Sequence, residues 1–251
     1  MNSIRKIFRL LREAIVVLWF YSNPWNYYRE RLRLFPDKKL TIKLRNGIEF
    51  VVKTNTNEIV MLDEIWRKKI YDPLLRFVRG GSTVIDIGAN NGAFSVKAAC
   101  AAPNVKVFSY EPFPVNFELL GENIVRNNLS RVITPYQLAL AGQRGKANLF
   151  FHDRDLGGGS FHRHGDKKAM KSITVQTVTL ADVFAENKIS RCDFLKMDCE
   201  GAEEAILYNA PQELLKKIQT MTIEWHDDLS KYGFANFIHF LGKHGYKTDF
   251  N

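Results

Sequence analysis

Val84-Ile85-Asp86-Ile87-Gly88-Ala89-Asn90-Asn91-Gly92 is an apolar run that ends in a glycine-bearing turn, and Ala93-Phe94-Ser95-Val96 follows it with helical character. A strand feeding a helix through such a turn lets a ligand approach the backbone at the strand's carboxyl end. The alternation continues downstream. Strands are expected near 83–87, 105–110, 132–138, 193–198 and 219–225, and helices over 91–101, 114–128, 203–209 and 230–244. Short connections between alternating strands and helices imply a parallel sheet covered on both faces. Segments 145–151 and 173–178 read as an inserted strand pair around a glycine-rich loop.

The fold class is therefore α/β: a Rossmann-like, doubly wound, mostly parallel sheet with helices on both faces, preceded by an N-terminal helix and a β-hairpin. The hairpin is read from Leu40-Thr41-Ile42-Lys43-Leu44 and Ile48-Glu49-Phe50-Val51-Val52, which alternate in period two around Asn46-Gly47. Residues 57–79 read as helical, with Asp72-Pro73 as an interior start and Gly80-Gly81 as the stop. Ahead of these, Ile4 to Arg12 mixes apolar and basic residues at helical spacing, and Ala14 to Tyr21 is wholly apolar. This basic amphipathic helix either packs on its own domain or lies on a membrane or partner surface. No small-x-small cleavage site follows it, and its apolar run is far short of the roughly 20 residues that span a bilayer. The organisation expected is a lead-in over 1–79 and a cofactor-binding domain over 80–251.

The chain's 251 residues suit one main domain, and 45% hydrophobic with 25% charged residues argues against disorder or a fibre. Cys100, Cys192 and Cys199 form no C-x-x-C pair and no disulfide framework, so they read as packing residues in a reducing cytoplasm. The net charge is +9, but residues 1–40 hold nine Lys/Arg against three Asp/Glu. The basic excess belongs to the lead-in, which disfavours nucleic acid as substrate and leaves peripheral contact with a membrane open.

A dinucleotide site would use G-x-G-x-x-G to cradle a pyrophosphate, whereas Asn90 and Ala93 stand at its second and third glycines. Val107-Phe108-Ser109-Tyr110-Glu111-Pro112 places an acid at the end of the next strand, where it can accept from ribose hydroxyls or, more simply, cap the following helix. A nicotinamide-dependent oxidoreductase is thus disfavoured. A non-catalytic binding or scaffold module stays open, since a fold does not fix a function.

Val84 to Gly92, Glu111-Pro112 with Asn116, Gln137-Leu138-Ala139-Leu140, Gly158-Gly159-Ser160 and, most specifically, Asp193-Phe194-Leu195-Lys196-Met197-Asp198-Cys199-Glu200-Gly201-Ala202-Glu203 resemble the FkbM family of methyltransferases over about residues 55–248. The resemblance implies S-adenosylmethionine as cofactor and methylation of a hydroxyl on a sugar, glycan or other small molecule. It implies that Asp86, Gly88, Asn90 and Gly92 line the methionine end and that Glu111 binds the ribose. Asn116 would belong to the same cofactor set, the Leu138-Ala139 backbone would edge the adenine, and Asp198 would stand beside the reactive methyl. The chain runs only to Asn251, so the last antiparallel strand usual in the family is not expected.

Ligands in open α/β sheets bind beyond the carboxyl ends of the strands, which is where Asp198 falls and where Glu224, His226 and Asp227 end the next strand. Methyl transfer to an alcohol needs an aligned oxygen relieved of its proton, so Asp198 and His226 are the catalytic candidates. Structural or cofactor-orienting roles compete for Asp198, and a strand-end cap for His226. Asp198, Glu224 and His226 could ligate a metal, but their spacing is no recognisable ligand pattern and no metal is expected. His152, His162 and His164 read as solvated loop residues.

Overall fold

The computed structural model describes residues 12–34, 36, 38–152, 155–160 and 171–250. The expected basic start of the first helix, and the histidines at 162 and 164, lie outside them. Helix α1 (12–20) leads into α2 (Pro24–Arg31), then into the hairpin of β1 (Lys39–Lys43) and β2 (Glu49–Lys53). Leu40 faces Val52 and Ile42 faces Phe50 across the antiparallel pair, as the alternation demands.

The helical stretch expected over 57–79 comprises α3 (Glu58–Leu62), a π-helical turn at Asp63–Arg67, and α4 (Asp72–Leu75), which begins at the interior start read at Asp72-Pro73. Lys69, at φ 62°, leaves the helical region, and Pro73 then sits in the first turn of α4, where its missing N–H costs nothing. A π-helical turn is uncommon and concentrates at functional sites.

The α/β alternation follows as β3 (Thr83–Ile87), α5 (Ala93–Ala99), β4 (Lys106–Tyr110), α6 (Pro114–Arg126) and β5 (Ile133–Tyr136). The expected strand over 132–138 stops at Tyr136, and a separate β6 (Ala139–Leu140) opens the insertion of β7 (Gly145–His152), β8 (Asp155–Ser160) and β9 (Lys171–Val178). The glycine-rich stretch read as loop thus contributes backbone to a third inserted strand. The sheet then resumes with α7 (Leu180–Glu186), β10 (Phe194–Met197), α8 (Glu203–Tyr208), α9 (Gln212–Leu215), β11 (Met221–Ile223) and α10 (Phe234–Lys243). Helix α7 escaped the periodicity reading although it carries a capping box, with Thr179 and Asp182 bonded reciprocally.

The main sheet has the order β11-β10-β3-β4-β5, and every neighbouring pair is parallel. Among the described residues no antiparallel strand is added to it. The chain steps outward from β3 to β5 and restarts on the other side at β10, so the order reverses between β3 and β10. That reversal opens a crevice at the strands' carboxyl ends.

Period-two alternation sends Val84 and Phe194 into one core and Ile85, Ile87, Leu195 and Met197 into the other. The first core also contains Val17, Tyr21, Ile42, Phe50 and Trp66. The boundary expected at 79/80 therefore does not divide two cores: the lead-in packs directly on α5 and α6. Trp66 Nε1 donates to the Ala93 carbonyl at 2.9 Å, Lys97 Nζ to that of Ile65 at 2.6 Å, and the Asn123 side chain pairs with both backbone groups of Val51.

Candidate active site

A cavity of about 310 Å³ opens at the carboxyl ends of β3, β4 and β10, roofed by residues 56–71. Its floor is the turn after β3. Gly88 there has φ 74°, and its N–H and that of Ala89 both donate to the Tyr110 carbonyl at 3.0 Å. A Cβ on Gly88 would lie 1.8 Å from the backbone oxygen of Asp198, so β3 and β10 meet at a point only glycine permits. Gly92 plays a different part from the one expected of it: it lies off the cavity, at φ 85°, and packs against Leu120 of α6.

Below the floor runs a polar row set by strand register. Asp86 is paired with Lys196 on one side and Ser109 on the other. Asp86 is fully buried, accepts from Ser95 Oγ at 2.5 Å, and has its other oxygen 3.5 Å from Lys196 Nζ. Burial pushes its carboxyl up from the usual range, against the pull of Lys196. Asp86 thus lies beneath the cavity wall. Lys196, itself buried, donates to the Gly88 carbonyl at 2.8 Å and lies 3.3 Å from Asp198. One ammonium therefore ties the strand floor, the glycine turn and the Asp198 carboxylate together.

Glu111 closes the inner end. Its Oε2 accepts from the Asn90 N–H at 2.8 Å and its Oε1 from that of Phe113 at 2.9 Å, with the Asn116 amide as a third donor. A carboxylate offers about four acceptor positions, so these three donors leave one unused on a residue that lines the cavity. Asn116 is off the cavity wall and acts on Glu111 from behind. On the roof, Glu58 accepts from the Lys53 N–H at 2.8 Å. Burial pushes both carboxyls up to about 7, against the opposing hydrogen bonds.

These shifts set a pH dependence. Folding raises both pKa values above 4.5, so the native state binds the extra protons and loses stability as pH climbs from about 4.5 to 7. The slope is at most about 1.4 kcal/mol per pH unit for each group. Carboxyls held low by surface partners, such as Glu49 and Glu122, titrate below that window. The melting temperature of the ligand-free protein is expected to fall between pH 5 and 7, and Glu58→Gln to flatten the fall. A melting temperature that rises across this interval would refute the assignment.

At the outer end, His226 sits between Glu200 and Glu203, with Nε2 3.3 Å from the first and Nδ1 3.2 Å from the second. The Glu203 hydrogen bond, with Glu200 adding to it, pushes the imidazole up to about 9. It is an imidazolium at neutral pH and no longer a free base. Glu224 is held above the usual carboxylate range chiefly by Asp198 and then by burial. Ligand atoms of Asp198, Glu224 and His226 lie within 4.8 Å of one another, so folding brings together three residues whose spacing in sequence gave no sign of it.

Of the residues expected at the site, Gly88, Asn90, Glu111, Leu138, Ala139 and Asp198 line the cavity, whereas Asp86, Gly92, Asn116 and His226 stand behind or beside it. The sequence reading missed Glu58, Glu64 and Tyr71 on the roof, and the tie made by Lys196. The signal for Lys196 was a lone lysine inside an apolar strand, which buries an ammonium only beside a carboxylate. No local signal pointed to the roof.

A model of the methyltransferase FkbM domain matches residues 86–248. The 31-O-demethyl-FK506 methyltransferase FkbM of Streptomyces tacrolimicus is 28% identical over 218 residues, covering 74% of this chain and 82% of that protein. The hexuronic acid methyltransferase AglP of Haloferax volcanii is 22% identical over 172 residues, covering 66% of this chain and 67% of that one. The crystal structure of methyltransferase FkbM from Methylobacillus flagellatus KT superposes with a TM-score of 0.45 at 14% identity, over 65% of this chain and 38% of that one. The domain match runs from within β3 past α10 and takes in the glycine turn, Glu111, Lys196 and Asp198. The chain belongs to the FkbM family of methyltransferases.

Proposed function

We propose that the protein transfers a methyl group from S-adenosylmethionine to a hydroxyl of a sugar, glycan or other small molecule. The observation that carries this reading is the charge of the cavity. Among the described residues it is lined by six acidic side chains (Glu58, Glu64, Glu111, Asp198, Glu200 and Glu224), of which Glu58 and Glu111 are partly protonated at neutral pH, and one ammonium, Lys196, which leaves the lining negative. Such a lining repels a dinucleotide pyrophosphate and attracts a sulfonium cation. A nicotinamide oxidoreductase is therefore the poorer reading. A scaffold without turnover has no use for unlike carboxylates gathered at the outer end. The names of the two relatives, which give 31-O-demethyl-FK506 and a hexuronic acid as the molecules methylated, favour an oxygen acceptor.

Glu111 suits a ribose, with one acceptor position left over, and Leu138 and Ala139 offer an apolar edge for a base. When bound, the cofactor supplies an electrophilic methyl group on sulfur. Asp198, fixed by Lys196, orients the acceptor hydroxyl. Glu224, whose carboxyl is held high, takes the proton as the new carbon–oxygen bond forms. His226, already protonated, positions Glu200 and Glu203 and is not the base.

Calorimetry tests the cofactor. S-adenosylmethionine or its demethylated product is expected to bind one to one, and Glu111→Ala to weaken it roughly tenfold or more, the worth of a charge-assisted hydrogen bond. Tighter binding of a nicotinamide dinucleotide would overturn the reading. A mass-spectrometric screen of hydroxylated sugars and lipids for the gain of one methyl group identifies the acceptor.

A further inference from the structure

We infer that the outer face of α1 and α2 docks on an anionic lipid bilayer. A helix that packs on a domain normally turns its apolar side inward. Here α1 does so with Val17, 3% exposed, yet its opposite side is also apolar: Ile15 and Trp19, one turn apart, are exposed together with Leu18, and Trp19 is 76% exposed. In α2 and its C-terminal cap the stripe Trp25, Arg29, Leu32 repeats this, opposite the buried Tyr27 and Glu30, and Trp25 is 72% exposed. Two tryptophans shown to solvent in neighbouring short helices are more than scattered surface apolarity.

The display is held rigidly. Tyr28 Oη donates to the Ala14 carbonyl at 2.9 Å and its ring contacts that of Trp25, which ties the two helices together. Arg67 bridges Glu13 at 2.7 Å, and Tyr21 Oη donates to Asp63 at 3.1 Å. Asp63 and Arg67 bound the π-helical turn whose Glu64 and Ile65 line the cavity. The segment that carries the displayed face is thus bonded, through Glu13 and Tyr21, to the turn that forms part of the cavity wall.

Charge selects the occupant. Arg12, Arg29, Arg31 and Arg33 flank the exposed tryptophans, and the first forty residues carry nine Lys/Arg against three Asp/Glu. A second copy would bring the same positive face and be repelled. An anionic headgroup layer is attracted, and tryptophan with arginine is the pairing suited to the headgroup boundary. No helix among the described residues is long and apolar enough to cross a membrane, so the contact is peripheral.

The test uses the full chain with vesicles of phosphatidylcholine alone or mixed with phosphatidylserine. Co-sedimentation is expected only with the mixed vesicles, to fall steeply with added salt, and to drop at least tenfold in Trp19→Ser/Trp25→Ser. Tryptophan emission should shift to the blue on binding in the parent and not in the variant. The variant should retain its melting temperature and cofactor affinity, because neither side chain is buried. Equal binding to both vesicle types, or none, overturns the inference. So does a concentration-dependent dimer that is lost in the double variant, which would assign the face to a second copy.

Discussion

Gly88→Ala is expected to destabilise the protein by several kcal/mol and to abolish cofactor binding. Two costs combine. A left-handed backbone at a non-glycine residue costs roughly 1–2 kcal/mol. Forcing a methyl into a packed site costs about 1–3 kcal/mol more. Here the obstacle is the backbone oxygen of Asp198, 1.8 Å from the added carbon, and backbone cannot rotate away as a side chain does. Relief requires separating the ends of β3 and β10, which pulls the Gly88 carbonyl and Asp198 off Lys196. Gly81→Ala is the control. Its φ is 81°, but nothing lies within 4 Å of the new methyl, so it meets the backbone cost alone. Urea unfolding should separate the two variants by at least about 2 kcal/mol, consistent with overpacking. Equal stabilities would show that the close approach of β3 and β10 is not a constraint.

The strands and most of the helices were legible because they depend on local alternation. Val84 to Ile87 and Phe194 to Met197 are buried on both faces, and near-continuous apolar runs announce such strands. The glycine turn after β3 and the acid at the end of β4 were legible for a related reason: glycines and a strand-end acid are local signatures. Where the reading and the structure differ, strand parity or contacts distant in sequence account for it. Asp86 looked like a ligand residue because it precedes the glycine turn, but strand parity turns it to the face of Val84, beneath the floor. His226 looked like a free base until folding set Glu200 and Glu203 on its two nitrogens. Glu58 lines the cavity from the start of α3, and the π-helical turn that follows brings Glu64 and Ile65 to the same cavity, a tertiary outcome that periodicity over 57–79 does not encode.

Asp198→Asn is expected to lower turnover by about 10²–10⁴-fold, the span of positioned acid–base assistance, while changing cofactor affinity little. The substitution keeps the shape and removes the charge that opposes Lys196, which retains Asp86 at 3.5 Å and so remains paired. Folding should survive, and a melting curve checks that. If the carboxylate aligns a reacting oxygen rather than only retaining the substrate, the fall lies in kcat. Glu224→Gln separates alignment from proton transfer. If Glu224 accepts the proton, its variant loses the low-pH limb of the rate profile, whereas His226→Gln keeps it. A metal would reverse this logic, because Asp198, Glu224 and His226 have ligand atoms within 4.8 Å and a divalent ion there would acidify the hydroxyl directly. Activity that vanishes with a chelator and returns with a divalent ion would move the proton-lowering role from Glu224 to that ion. Full turnover in Asp198→Asn would remove Asp198 from the reaction altogether.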